Sequence, residues 1–305
     1  MNAVNGMNWM KQQSVAVFGG AGLVGSRFAQ LMGDHFDILA PTRAELDLLD
    51  FPAVTAYLAA CQASVVLNLA AWTDLDRAEA ERGDTTGVVY RLNAALVQRL
   101  SEACAELGKH LVHVSTDYVF DGDQSERPYV ETDGPNPLSW YGQTKRQGEL
   151  LGLETGAPLT IARIEMPFSG RPHRKLDFPR LLVNRLRSGG ELVAVADQKI
   201  TPVFLDDAVA ALGVLIGQRV PGVVHVASTT WTTPFDFAVS IAGRLGLETE
   251  LIRADAFDRF VVTRSARRPR HSWLDVTQFT RLGGAGILRP VDQQVQAFCD
   301  QVAVG

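Results

Sequence analysis

Cysteine is scarce in this sequence: Cys61, Cys104 and Cys299 are the three among 305 residues, with no C-x-x-C spacing. That excludes a disulfide framework or a thiolate metal centre, and suits small buried hydrophobes in a reducing compartment. Long apolar runs are missing too. None approaches the length of a membrane-spanning helix, and the opening MNAVNGMNWMKQQ has no hydrophobic signal-peptide core. Residues 1–13 read as a loose, flexible tail, and the cytoplasm is the expected location. Nor is there an excess of basic charge. The formal net charge of -5 argues against nucleic acid or an anionic membrane as the main partner. There is no convincing repeat or low-complexity tract.

What is present is an ordinary globular composition, 46% hydrophobic and 21% charged, enough for one large domain or two sharing an interface. The first half alternates short β-branched runs with longer helical patterns. SVAVFGG (14–20), FDILAP (36–41), SVVLNLA (64–70), HLVHVS (110–115) and LTIARI (159–164) are strand candidates, and ELVAVA (191–196) is a later one. VVYRLNAALVQRLSEACAELG is a long amphipathic helix with Gly108 at its end. This alternation predicts an α/β fold: a Rossmann-like, doubly wound parallel sheet with helices on both faces. The expected dinucleotide domain covers residues 14–165, with 200–226 returning to it through GVVHVAS (222–228). Past residue 166 the alternation weakens and Pro and Arg become frequent, which places a smaller α/β substrate-binding lobe at 166–199 and 227–305.

VAVFGGAGLVGSRF admits two glycine spacings. Gly20, Gly22 and Gly25 fit G-x-G-x-x-G, while Gly19, Gly22 and Gly25 fit G-x-x-G-x-x-G. Either makes a tight strand-to-helix turn that brings backbone close to a pyrophosphate and aims a helix N-terminus at it. The second strand ends in ILAPTRAELD, with no acidic residue where a ribose contact selective for NAD is expected. Thr42 and Arg43 stand there instead, and an arginine there suits a 2'-phosphate. NADPH is favoured, with NADH left open because Glu45 is close by.

In PLSWYGQTKRQGEL, Tyr141 and Lys145 are four apart and project from one side of a helix. Alone, this spacing describes many surface helices. HLVHVSTDYVFDG, however, puts Ser115, Thr116 and Asp117 beyond a strand's carboxyl end, where open α/β sheets bind ligands. A hydroxyl there could hold a carbonyl oxygen while Tyr141 delivers a proton. Tyrosine ionises near 10, so the Lys145 ammonium is expected to favour the phenolate.

Together the glycine turn, NLAA (68–71), the hydroxyl residues after the fourth strand and Y-x-x-x-K resemble the extended short-chain dehydrogenases/reductases. VVLNLAAWTDLDRAEAE, LVHVSTDYVFDG, PYVETDGPNPLSWYGQTKRQGE, VADQ and ARRPRHSWLD narrow the resemblance to the dTDP-4-dehydrorhamnose reductase family. It is dense from residue 15 to about 150 and patchier to about 280. It implies catalysis by Thr116, Tyr141 and Lys145. Cofactor contacts are implied at Gly19, Gly22, Leu23, Val24, Gly25, Thr42, Arg43, Asp47, Leu48, Asn68, Ala70, Ala71 and Asn93, and from Tyr141 and Lys145. Substrate contacts fall to Thr116, Asp117, Tyr118, Met166, Arg267 and Arg268, with the arginines of TRSARRPRHS, Arg270 included, as cations for a diphosphate. A solvated basic turn is the plainer account of that cluster. The implied reaction is hydride transfer from NADPH to C4 of a nucleotide-activated 4-keto-6-deoxy sugar, with the proton from Tyr141. A homodimer is compatible with the resemblance, and no residue pattern demands a metal.

The departures lie in the second half. ARIEMPFSG keeps Arg163 but puts Met166 and Pro167 where the family has an aromatic wall; DQKITPVF replaces its DQ-x-G-x-P-T; and ERGDTTGVVYRLN carries about four extra residues. Two alternatives stay open. One is another short-chain epimerase, dehydratase or reductase. The other is a non-catalytic NADP-binding relative, like the regulatory subunit of eukaryotic methionine adenosyltransferase.

Overall fold

Short runs of Val, Ile, Leu and Ala, too apolar to face water on either side, pair into one parallel sheet. The computed structural model describes residues 13–174 and 176–304. Its six-stranded sheet comprises β1 (Gln13–Phe18), β2 (Phe36–Leu39), β3 (Val65–Asn68), β4 (His110–Thr116), β5 (Leu159–Ile164) and β9 (Gly222–Val226). The order is β2-β1-β3-β4-β5-β9, parallel throughout. Apart from Gln13, which opens β1, the expected tail lies outside the described residues. Alternation along β1 divides the core. Val15 and Val17 pack with Phe28, Met32 and the Leu205–Gln218 helix on one face, while Ala16 and Phe18 pack with Leu58, Leu96 and Leu100 on the other.

After β2 the chain crosses β1 to form β3 on its far side, so the winding reverses between β1 and β3. A crevice opens there at the carboxyl ends of the strands. The long helical pattern forms as expected at 88–107, ending on Gly108 in the left-handed region. It is interrupted by a π turn over Arg91–Ala95, which holds Asn93.

Beyond β5 the chain leaves the sheet at Met166, whose φ is 41°. That is a strained setting for a residue before proline, which ordinarily stays extended. Pro167–Phe168 (β6) pairs with Val203–Phe204 (β8), and Leu192–Val195 (β7) with Ile252–Asp255 (β10), each a separate two-stranded parallel pair. These pack with the Phe178–Arg187, Pro234–Arg244 and Val291–Val304 helices around a second core. There Phe168 meets Phe204, Phe237 and Phe298 with ring centroids 5.1–5.9 Å apart. Among the described residues, no helix is long and apolar enough to cross a membrane.

Candidate active site

The turn after β1 shows which glycine spacing carries geometry. Gly19 has φ +82°, and a Cβ there would lie 2.7 Å from Ala70 N and 2.8 Å from Leu69 C. A Cβ on Gly25 would lie 2.4 Å from Gly19 O, whereas one on Gly20 would meet only the Ala40 methyl at 3.1 Å. The spacing of Gly19, Gly22 and Gly25 is therefore the one in which backbone touches backbone. Gly22 starts the Leu23–Met32 helix with no side-chain cap and no acidic residue in the first turn. Its N-terminal N–H groups and positive dipole end are free to meet an anion at the mouth of the crevice. The residues fit a dinucleotide diphosphate. At the end of β2, Glu45 turns back to accept the Thr42 N–H at 2.7 Å, and that bond holds its carboxyl below the usual range. Arg43 is exposed and has no ion pair among the described residues. Asp47 accepts from Leu49 N in the following turn, with Leu48 half-buried beside it.

The helix Trp140–Glu154 carries Tyr141 and Lys145. Ser139 caps it by accepting from Gly142 N at 3.1 Å, and Glu79 accepts from Trp140 N at 2.7 Å. Arg82, beside the extra residues, bonds Glu79, Leu138 O and Gln143, so this departure braces the start of that helix. Two glycines let the helix sit close. A Cβ on Gly142 would lie 2.2 Å from Tyr118 O, and one on Gly148 2.2 Å from Asn93 O.

Thr116 ends β4. Its hydroxyl donates to Asp117 Oδ1 at 2.9 Å and accepts from Tyr118 N at 3.2 Å. The Tyr118 and Tyr141 rings meet edge to face, 5.9 Å between centroids. Lys145, buried on the same helix, contacts His113 Nε2 at 3.1 Å and donates to Val114 O at 2.7 Å. His113 Nδ1 faces Asn68 Nδ2 at 3.1 Å, and Asn68 Oδ1 accepts from Ala70 N. That last bond orients the amide so that its NH2 donates to Nδ1, which leaves Nε2–H to donate to Lys145. An amine accepts that bond and an ammonium does not. Burial acts the same way, lowering Lys145 to about 8 and His113 well below its usual value.

The expectation that Lys145 eases ionisation of Tyr141 is therefore not met in this arrangement. Burial pushes the phenol well above its ordinary value, the Thr116 hydroxyl offsets part of this, and the Asp117 charge adds to it. The Lys145 nitrogen is turned to His113 and Val114.

The sequence signature of the RmlD substrate binding domain spans residues 13–304 of this chain. The chain belongs to that family. Among RmlD-family proteins it is 30% identical to a dTDP-4-dehydrorhamnose reductase of Mycolicibacterium smegmatis, over 95% of this chain and 85% of that one. It is 31% identical to a dTDP-4-keto-6-deoxy-D-glucose reductase of Streptomyces niveus, over 92% and 95% respectively. A crystal structure of dTDP-4-dehydrorhamnose reductase from Bacillus anthracis in complex with NADP superposes with a TM-score of 0.85. It has 25% identity and covers 94% of this chain and 98% of that one.

Against the RmlD-family expectations, Asn93 has its amide engaged by the protein. It accepts from Trp72 N at 2.8 Å and donates to Trp72 O and Thr144 Oγ1, both at 3.1 Å, bracing the helix of Tyr141 from below. Of the three arginines, Arg270 is tied to Asp258 and Asp197 and stacks on Phe257. Arg268 donates to Asp76 at 2.9 Å and to Ala266 O, and its charge reaches Tyr118. Arg267 is exposed, with no ion pair among the described residues. Met166, half-buried, follows Glu165, a residue the sequence reading passed over. Glu165 is 1% exposed and accepts from Thr201 N at 2.9 Å, from the Thr201 hydroxyl, and from Ser272 Oγ at 2.8 Å. An acid directly after a mostly apolar strand was the available signal, but its partners lie 36 and 107 residues away.

Proposed function

We propose that this RmlD-family protein is an NADPH-dependent reductase of a nucleotide-activated 4-keto-6-deoxy sugar. The observation that carries the reading is the buried Tyr141 and Lys145 on one helix beside Thr116 at the carboxyl end of β4, together with a glycine cradle shaped for a dinucleotide diphosphate. The names of relatives that match over nearly the whole chain supply the sugar class, and the NADP bound to a relative of the same fold supports the cofactor.

When bound, the dihydronicotinamide supplies the hydride that reduces the C4 carbonyl carbon. The chain's own groups handle the oxygen. On substrate binding the Thr116 hydroxyl turns from Asp117 to donate to the carbonyl oxygen, and Tyr141 protonates that oxygen as negative charge develops. A phenol held above its usual pKa is a weak acid toward water but is matched to an alkoxide, which is more basic still. Lys145, buried one turn along, is placed to turn from His113 toward a ribose hydroxyl. Arg43 takes the 2'-phosphate, and Arg267 with Arg268 takes the substrate diphosphate. The three free cysteines suit the cytoplasm as the compartment.

The test is NADPH oxidation with dTDP-4-keto-6-deoxy sugar generated in situ. Wild type should turn over, and Tyr141→Phe should lose about 100-fold or more in kcat, the low end for a positioned proton donor. An unchanged rate in the variant would sink the assignment of Tyr141. No turnover by wild type that still binds NADPH would sink the substrate class.

A further inference from the structure

His113 is fully buried in β4, and the mechanism above gives it no task. It stands in the middle of a line of hydrogen bonds between the glycine cradle and Lys145. At one end, Ala70 N belongs to the backbone that Gly19 approaches, so closely that a Cβ on Gly19 would lie 2.7 Å away. Ala70 N donates to Asn68 Oδ1 at 3.1 Å, Asn68 Nδ2 meets His113 Nδ1 at 3.1 Å, and His113 Nε2 meets Lys145 Nζ at 3.1 Å. Lys145 also donates to Val114 O at 2.7 Å. Each atom in this line has one role. The amide NH2 of Asn68 only donates, so Nδ1 is the lone-pair nitrogen of the ring. A neutral imidazole then carries its hydrogen on Nε2, and Nζ has to accept it. An ammonium has no lone pair to offer, so the line closes only with Lys145 as an amine.

We propose that His113 is a positioning residue that holds Lys145 as an uncharged amine, and that Lys145 takes up one proton from solvent when it turns from His113 to NADPH, so that cofactor binding is coupled to proton uptake.

The inference rests on the reductase reading, in which Lys145 turns toward a ribose hydroxyl. In the step one N–H bond forms on Nζ with a proton from solvent. The hydrogen bond from Nε2 to Nζ breaks, and His113 keeps its hydrogen. The new surroundings favour the charged form, because ribose hydroxyls offer lone pairs and the cofactor phosphates are anionic. Few charged groups face Lys145 otherwise. On its own helix Glu149 favours the ammonium, but Glu149 is bound by Arg163 through both oxygens and by Arg146 and Ser115, so two guanidinium charges offset it. Tyr141, on the same helix, is held as the neutral phenol by burial. From the strands, His113 and Asn68 are neutral. Burial, partly offset by Glu149, brings Lys145 to about 8. The hydrogen bond from Nε2 lowers it further, and that difference can be measured.

The test counts protons. NADPH is titrated into the full-length protein by calorimetry at pH 7.5 in two buffers of different ionisation enthalpy, and the difference in heat gives the protons taken up per cofactor bound. A Lys145 governed by burial alone is about one-quarter amine at that pH, whereas one held by His113 is mostly amine. Wild type should therefore take up roughly 0.7 proton or more. His113→Asn keeps an oxygen for Asn68 but presents no hydrogen to Nζ, and should take up roughly 0.3 or less. Comparing the two cancels protons exchanged by the cofactor itself. The bound chain holds more protons than the free chain, so wild-type affinity should fall as pH rises from 7 to 8, by up to about tenfold per unit. The variant should stay flatter until about 8. Asn68→Asp changes almost no volume and serves if the first variant does not fold. Its carboxylate only accepts, so His113 would carry its hydrogen on Nδ1 and turn a lone pair toward Nζ, and uptake should fall in the same way. Nitrogen-15 spectra of the imidazoles, recorded without cofactor, read the tautomer directly, and the signal missing from His113→Asn identifies His113. Hydrogen on Nδ1 in wild type overturns the inference. So does equal uptake in wild type and the variants. Failure of wild type to bind NADPH overturns the cofactor reading and the coupling with it, while the spectra still decide the tautomer.

Discussion

Replacing Arg43 by alanine should separate the two nicotinamide cofactors. Glu45, the nearest acid, is occupied with the Thr42 N–H, so Arg43 meets an incoming 2'-phosphate without a competing carboxylate. A hydrogen bond to a charged group contributes about 1.5–3 kcal/mol when shielded from solvent. Arg43 is exposed, and salt and water reduce that, so the expected loss in NADPH affinity is roughly 5- to 15-fold. NADH lacks the phosphate and should bind the variant as it binds wild type. The assay is a fluorescence titration of each cofactor at two salt concentrations, and the wild-type preference for NADPH should shrink at the higher one. Glu45→Ala makes the opposite arm: removing a negative charge beside the phosphate should strengthen NADPH and leave NADH unaffected. Equal losses for both cofactors in Arg43→Ala would mean that the residue shapes the loop and reads no phosphate. No loss for either would refute the assignment outright.

Three further outcomes are expected. Arg267→Ala should raise KM for the nucleotide sugar roughly 5- to 10-fold at constant kcat, because an exposed cation acts on binding alone. Arg268→Ala should also lower the melting temperature, since Asp76 loses a partner that, with Ser265 and Ala266, keeps its carboxyl below the usual range. Stability should also depend on pH through Glu165. Its folded pKa, about 8, lies above the unfolded value, so between the two the native chain binds more protons than the unfolded chain. Stability therefore falls as pH rises across that window and is fullest below it. Urea midpoints measured across the window should show that decline in wild type and a shallower one in Glu165→Gln.

Local pattern carried most of the sheet. LTIARI is β5 residue for residue, and HLVHVS misses only the final Thr116, because apolar runs bounded by glycine or polar turns leave few other ways to be buried. The glycine turn was legible as a motif, but the choice between its two spacings was not, since it depends on which Cβ would strike β3's exit. Tyr141 and Lys145 were legible as a pair. What Lys145 does in this structure was not, because His113, Asn68 and Ala70 reach it from other strands. The arginine cluster misled in part, since its acids at Asp76, Asp197 and Asp258 are scattered through the chain. Strands as short as β6 and β8, two residues each, carry no period to read.

The helix of Tyr141 also bears on how this protein could be engineered. Glycine inside a helix costs about 1 kcal/mol relative to alanine, so Gly142 and Gly148 would head any scheme that raises thermal tolerance by filling in helices. Both are traps. A methyl group at either position would meet a backbone oxygen at 2.2 Å and lift the helix away from Tyr118 on one side or Asn93 on the other. Overpacking of that kind costs about 1–3 kcal/mol, which cancels or exceeds the helix gain, and it carries Tyr141 out of place. A scheme that scores helix propensity alone would choose both positions, and a melting curve read beside turnover would reject them.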